Sequence, residues 1–458
     1  MTSKEWIELA YVVSAVLFIF ALKAMSSPKT ARRGNMIGAI GMLIAIVATL
    51  LNRGIVSWHW IIAGLIMGSG IGAYLAMTVK MTGMPQMVAM FNGMGGLASG
   101  LVVLVVAFSG PLATYTAFTV GVSTLIGWVT LTGSLVAFAK LQGFVLSGKP
   151  LLFPWQKLAN LGLLLGCVGL IVLWTCFPGW WWLVIPLLVL ACGLGIGFTI
   201  PIGGGDMPVV ISLLNSYSGL AACATGFVLG NSGLIIAGAL VGASGIILTR
   251  IMCSAMNRSL ANVLLAGVGA VVAEAEGDAA ERKPVTSWTP QDAAICLENS
   301  SRVVIVPGYG MAVAQAQHAL RELADLLAES GIDVKYGIHE VAGRMPGHMN
   351  VLLAEADVPY EQLLDRQGVN AEFDHTDAVL VIGANDVVNP AARSDETSPI
   401  YGMPILDVDK AGTVMVCKRT LNPGFAGIGN ELFYLPNTAM IFGDAKHTVN
   451  EIIAALKG

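Results

Sequence analysis

Charged residues are scarce in this sequence: they make up 12% of its 458 residues, whereas 55% are hydrophobic. Soluble proteins are about a quarter charged, so an ordinary soluble chain is excluded. Paired cysteines are also missing. Cys167, Cys176, Cys192, Cys223, Cys253, Cys296 and Cys417 form no CxxC pair, and most lie in apolar runs. They read as free thiols packed as small hydrophobes in a reducing compartment. The six histidines are scattered without an HxxxH or HxxE spacing, so no metal site is expected. Finally, no Lys, Glu or His falls in the middle of a long apolar run. A relay that carries protons normally contains a group that titrates.

The charge that is present is divided by sign. Met1 to Met252 carries 11 Lys/Arg and 3 Asp/Glu, a net of +8, whereas Cys253 to Gly458 carries 14 and 26, a net of −12. Such a chain is two bodies with different solvents. We read residues 1–253 as a transmembrane domain, 254–290 as a linker containing the acidic stretch EAEGDAAERKP, and 291–458 as one soluble domain. Spanning the hydrocarbon core takes about 20 apolar residues as helix. Nine runs qualify: 5–23, 35–52, 58–78, 85–108, 115–138, 157–176, 181–200, 208–229 and 232–252. The first follows Lys4 without a small-residue cleavage motif, so it reads as a retained helix.

Cytosolic loops retain Lys and Arg. The N-terminus and every second loop hold only Lys4 and Arg53; the alternate set holds Lys23, Lys29, Arg32, Arg33, Lys80, Lys140, Lys149, Lys157, Arg250 and Arg258. Ten against two puts the N-terminus outside, and an odd helix count then delivers the acidic half to the cytosol. Small-residue clusters at 93–100, 193–197 and 238–245 read as close helix packing. Polar residues at membrane depth are more informative, because burying them in lipid is costly. Asn92 sits mid-span in the fourth run. Asn215, Ser216, Tyr217 and Ser218 form a block in the eighth, with Asp206 at its entrance. Asn92 alone could be interhelical glue; the block with Asp206 reads as a hydrated path for a small ion or proton.

In the soluble half, SRVVIV (301–306) reads as a strand, PGYGMAVAQAQ (307–317) as the opening of one helix continuing through LRELADLLAES, and VKYGIHE (334–340) as the next strand. In this βαβ unit, Gly308-Tyr309-Gly310-Met311-Ala312-Val313 matches the first two glycines of a dinucleotide fingerprint. Val313 replaces the third, which should loosen helix–strand packing. A strand at 378–382 ends in Gly383-Ala384-Asn385-Asp386, and TVMVCKRT ends in Lys418-Arg419-Thr420. Two cations and a hydroxyl beyond a strand end suit a phosphate monoester, although a solvated strand end would look similar. Arg344, in a Met-Pro loop, could reach a phosphate or another chain. The fold class is therefore a polytopic membrane bundle of about nine helices followed by a Rossmann-like, doubly wound parallel α/β domain.

Several segments together resemble the β subunit of proton-translocating nicotinamide nucleotide transhydrogenase: MPQMVAMFNGMGG, GDMPVVISLLNSYSG, PGYGMAVAQAQ, GIHEVAGRMPGHMNVLLAEA, VIGANDVVNPAA, the Cys417-Lys418-Arg419 strand end and GDAK at 443–446. The resemblance runs almost end to end. It implies reversible hydride transfer between NAD(H) and NADP(H), coupled to proton movement, in a bacterial cytoplasmic membrane. By resemblance, Gly308, Tyr309, Gly310, Met311, Ala312 and Val313 line the NADP(H) pyrophosphate, and Lys418 and Arg419 hold its 2′-phosphate. Gly383, Ala384, Asn385 and Asp386 form a cofactor-binding turn in which Asp386 is the acid linking nucleotide site and proton path; Arg344 approaches the nucleotide; the 422–431 loop, with Gly424, and Asp444 close over it. Asn92 stands where many family members have a proton-carrying histidine, which resembles the branch with a split α subunit.

With one fingerprint, this chain is expected to bind NADP(H) alone. NAD(H) then belongs to α subunits, which also supply further membrane helices. A dimer of protomers embedded in membrane lipid is expected, and no nucleic-acid partner. The proton route would involve Asn92, Asp206, Asn215, Ser216 and Asp386. Two other classes compete: a channel or transporter gated by a nucleotide-sensing domain, and a quinone reductase. The first lacks a filter sequence or paired charges in the helices, and the second lacks a membrane histidine pair for haem.

Overall fold

The computed structural model describes residues 3–51, 58–79, 81–143, 151, 153–203, 206–257, 259–260, 263, 284–345, 347–424 and 426–458. Arg53, Lys80, Lys149, Arg258, Pro346 and most of the 254–290 connector lie outside these residues. The chain divides into two compact units, Met1–Thr249 and Arg250–Gly458.

Among the described residues, nine helices are long and apolar enough to cross a membrane. They are α1 (Ser3–Met25), α2 (Pro28–Leu50), α3 (Trp58–Thr78), α4 (Met84–Phe108), α5 (Thr114–Gln142), α6 (Gln156–Cys176), α7 (Val184–Thr199, entered through a 3₁₀ turn at Trp181–Leu183), α8 (Met207–Leu229) and α9 (Ser232–Ala255). Starts and stops follow local chemistry. Prolines occupy the first turns of α2, α4 and α8, where a missing N–H costs nothing. Gly143 and Gly230 close α5 and α8 in the left-handed conformation, at φ 79° and 64°.

The centre of this unit is α4, α5, α7 and α8 packed on one another. Small residues set the spacing, as the sequence led us to expect. A Cβ on Gly96 would stand 2.6 Å from the Gly127 carbonyl oxygen, and one on Gly219 would stand 2.6 Å from the Gly242 nitrogen. Backbones this close are what small residues permit in a bundle without a hydrophobic driving force. By contrast, α3 buries none of its residues in this chain.

The second unit is a six-stranded, wholly parallel sheet: β1 (Arg302–Pro307), β2 (Asp333–Ile338), β3 (Leu363–Asp365), β4 (Ala378–Ile382), β5 (Thr413–Lys418) and β6 (Thr438–Phe442). Their order is β3-β2-β1-β4-β5-β6, the doubly wound arrangement that reverses direction between β1 and β4. The central strands are continuous apolar runs buried on both faces, as a covered parallel sheet demands. Around the sheet lie α10 (Pro290–Glu298), α11 (Tyr309–Ala314), α12 (Gln317–Glu329), α13 (His348–Glu355), α14 (Arg366–Asn370), α15 (Ala391–Ser394) and α16 (Ala445–Leu456).

Two local expectations fail. The single helix expected after Pro307 is two, because Gln315 takes a left-handed conformation, φ 54°, and the Ala316 amide reaches back to Met311 O. Val313 does not come between helix and strand. It is 45% exposed, while Met311 and Ala312 are the buried positions of α11, so the missing third glycine leaves the packing undisturbed.

Candidate functional site

Register aligns the strand ends that matter. Pro307 pairs with Ile382, and Ile382 with Cys417, so Gly308, Gly383 and Lys418 emerge side by side at the carboxyl edge. This is where open parallel sheets bind ligands, at the point where strand order reverses. Gly308 N–H donates to Ile382 O at 2.8 Å, and Gly310 N–H to Gly383 O at 2.9 Å. A Cβ on Gly308 would collide with the backbone of Ala384, and one on Gly310 would stand 2.6 Å from the Gly383 Cα. The glycines therefore let two strand-end turns lie backbone against backbone. Gly383 itself is left-handed, at φ 67°. Glycine's permissive backbone is required for that contact as well as for any ligand.

The Asn385–Asp386 turn is covered by the segment that follows β5. Asp386 Oδ2 accepts from the Ala426 amide at 3.0 Å, and Asp386 Oδ1 from Asn385 Nδ2 at 3.1 Å. Asn430 Nδ2 donates to Asn385 O at 3.0 Å, and Asn389 Nδ2 to Gly429 O at 2.9 Å. Gly424 lies directly on this turn, where a Cβ would be 2.5 Å from Asp386 Oδ1. Asn389 and Asn430 were not among the expected site residues, although the apolar surroundings of an asparagine in VVNPAA were a usable signal.

Lys418 is half-buried. Its ammonium donates to the Asn422 carbonyl, lies 3.5 Å from Asn385 Oδ1 and stands 5.1 Å from the Phe433 ring centre. Burial pulls its pKa below the ordinary lysine value, and the Asp386 carboxylate pulls the other way. Arg419 is exposed. Asp444 accepts from the Lys446 and His447 amides and so caps α16, which gives it a structural task of its own.

On the β1–β2 side, the Arg344 guanidinium lies 4.4 Å over the Tyr309 ring. This cation–π contact brings the fingerprint and the 341–345 loop together. The loop is tied down by two histidines: His348 Nδ1 accepts from Arg344 N–H at 3.0 Å, and His339 Nδ1 from Val341 N–H at 3.2 Å. Burial raises the Tyr309 pKa, opposed by Arg344.

The membrane unit holds the remaining candidates. Asn92 is buried, and its Nδ2 donates to Ile211 O of α8 at 3.3 Å. Ser216 is fully buried and donates to Gly242 O of α9 at 2.6 Å. Asn215 is half-buried. Ser218 faces α4, where a Cβ on Gly95 would be 2.5 Å from its hydroxyl, and Tyr217 packs on an apolar cluster of α5, α6 and α7. Successive helical residues point about 100° apart, so this block serves several neighbours and does not line one wall. Asp206 occupies the N-cap position of α8 without a side-chain capping bond and is half-buried. Sequence reading missed Lys140: counted as a loop cation, it lies in the last turn of α5 and is 3% exposed.

The fold defines a class: a Rossmann-like, doubly wound α/β domain in one chain with a bundle of helices long and apolar enough to span a membrane. Residues 7–455 match the family described as NAD(P) transhydrogenase beta subunit. Two Rhodospirillum rubrum proteins named NAD(P) transhydrogenase subunit beta are 50% identical to this chain over 463 residues, covering 98% of it and 98% of each relative. The chain belongs to the NAD(P) transhydrogenase beta subunit family.

Proposed function

We propose that this chain is the β subunit of a proton-translocating transhydrogenase and is the subunit that holds NADP(H), with NAD(H) held by an α subunit. The observation that carries this reading is the side-by-side emergence of Gly308, the Gly383–Asp386 turn and Lys418 at the carboxyl edge of β1, β4 and β5. The donor set suits a nucleotide with an extra phosphate monoester. An ammonium has three donors; Asn422 O and Asn385 Oδ1 occupy two, and the third is available to a phosphate oxygen. Arg419, the next residue, adds an exposed guanidinium fork. Arg344 and Tyr309 would flank the nucleotide from the fingerprint side.

The bound nicotinamide supplies the hydride chemistry. The residues of this chain bind, orient and enclose. Asp386 joins the nucleotide turn to the covering segment, since its carboxylate accepts the Ala426 amide. Displacing that amide would loosen the segment, which Asn389, Asn430 and Lys418 also hold, and protonating Asp386 would weaken the same hydrogen bond. In our reading, proton occupancy around Asn92, Asn215, Ser216 and Asp206 biases which state the nucleotide site adopts. Proton route, orientation (N-terminus outside, nucleotide domain cytosolic), inner-membrane location and a dimer of protomers all belong to this proposal. The loop-charge asymmetry supports the orientation; with Lys140 buried it stands at nine cations against two.

The test is reconstitution of the chain with its α subunit in proteoliposomes. Hydride exchange between NADPH and an NAD⁺ analogue should move protons and slow under an opposing pH gradient. Exchange that ignores the gradient would refute the coupling. Tight binding of NADH to this chain alone, equal to that of NADPH, would refute the division of nucleotides between subunits.

A further inference from the structure

The geometry points to Lys140 as a positioning residue of the proton route, holding together the end of the bundle where α5 and α7 finish and α4 and α8 begin. This rests on the proton-translocating reading above. Lys140 Nζ donates to Ile202 O at 2.8 Å and to Ile200 O, both at the turn that leaves α7. Cations are favourable at helix C-termini, where the last carbonyls lack partners within the helix. From there the chain continues into α8 through short-range hydrogen bonds. Ile202 N–H donates to Thr199 O at 3.3 Å, Asp206 N–H to Gly203 O at 3.2 Å, and Val209 N–H to Asp206 O at 3.1 Å. The ammonium therefore grips the segment that delivers Asp206.

Its neighbour in sequence completes the clasp. Gln86 Nε2, in the first turn of α4, donates to Leu141 O at 3.3 Å. Asn92 stands six residues further along α4, less than two turns away, and donates to Ile211 O on α8. Asn92 and Asp206, two of the candidate proton groups, thus hang on helices that meet at Lys140. A buried ammonium in a membrane bundle is costly and marks function more often than packing. An ordinary helix cap would explain the bonds to Ile200 and Ile202. It would not require the cation to sit between the elements that carry both candidate groups.

The experiment uses the full chain assembled with its α subunit in proteoliposomes, and reads protons moved per hydride exchanged with a pH-sensitive dye and nucleotide absorbance. Lys140→Met should lower that ratio at least five-fold, with NADPH affinity within two-fold of the parent. Lys140→Arg, which can reach the same carbonyls, should restore at least half of it. A parental ratio in Lys140→Met overturns the assignment, as does an equal loss in both variants. Lys140→Gln serves as a second neutral variant. If neither Lys140→Met nor Lys140→Gln assembles with the α subunit, Lys140 is a folding residue and the assignment is overturned. If the parent itself moves no protons, the functional reading fails instead.

Discussion

Replacing Lys418 by methionine removes one positive charge while keeping an unbranched stem on the Phe433 ring, which the ammonium approaches to 5.1 Å. Two different interactions are lost, and they predict different nucleotide dependence. The tie to the Asn422 carbonyl and Asn385 Oδ1 helps fix the covering segment whichever nucleotide is present. The donor is an ammonium, and hydrogen bonds to charged groups contribute about 1.5–3 kcal/mol, at most roughly 10- to 150-fold in affinity. A charge-assisted bond to a 2′-phosphate exists only with NADP(H). Bonds to charged groups contribute about 1.5–3 kcal/mol, a further factor of roughly 10 to 150. Calorimetric titration of the purified chain with NADPH and NADH therefore separates the two contributions. NADPH should lose both, NADH only the first, and the ratio of the two losses should be about ten or more. Because the bond to phosphate is electrostatic, raising salt should shrink the NADPH loss more than the NADH loss. Equal loss for both nucleotides would refute the assignment and leave Lys418 as a structural clasp.

Three further outcomes follow from the same geometry. Gly308→Ala would press a Cβ into the Ala384 backbone and should cost about 1–3 kcal/mol, seen as a lower unfolding midpoint and weaker NADPH binding. Gly429→Ala, where a Cβ meets nothing, is the control and should be silent; equal effects would show that the close turn is not the cause. Asn92→Ala should lower protons moved per hydride while leaving NADPH affinity unchanged, and unchanged pumping would reduce Asn92 to a packing residue. His339 is buried, accepts Val341 N–H at Nδ1 and stands 2.7 Å from Pro404 O through Nε2, so it is neutral, and burial holds its pKa below the ordinary 6.5. The unfolded chain then takes up the proton first, so this contribution to stability is complete above pH 6.5 and is lost as pH falls toward the folded pKa. The unfolding midpoint should drop from neutral pH into this acid range, less steeply in His339→Gln; equal slopes would refute it.

What the sequence made legible divides along physical lines. The run read at 85–108 is the helix Met84–Phe108, and that at 208–229 is Met207–Leu229. Lipid leaves a spanning segment no other way to satisfy its backbone, so hydropathy alone locates it. The strands before Gly308 and Gly383 were legible for a related reason: strands covered on both faces need unbroken apolar runs. The turn at Gln315 was not, because its left-handed conformation is imposed from outside and glutamine carries no local preference for it. Nor was the role of Gly308 and Gly310 against the Gly383 turn. That contact joins residues some 75 positions apart and depends on the β1–β4 adjacency.

Lys140 shows where a charge count misleads. The apolar run ends near residue 138, so a lysine two positions later reads as a loop cation. The helix continues to Gln142, and a long flexible stem turns that lysine back into the bundle. The Asn215–Ser218 block shows a different limit of sequence reading. Four polar residues in a row look like a lined path, yet Ser216 already gives its hydroxyl to Gly242 O, while Tyr217 and Ser218 face different helices. By contrast, Gln86 and Lys140 tie three helix ends together, through Leu141 O of α5 and through Ile200 O and Ile202 O at the turn that leaves α7. Asn92 belongs with them through its bond to Ile211 O, although its amide does not carry charge. On the proton route we propose, the proton that Asn92 helps to place would rest on another group: Asp206 in this chain, or a titratable side chain that an α-subunit helix supplies.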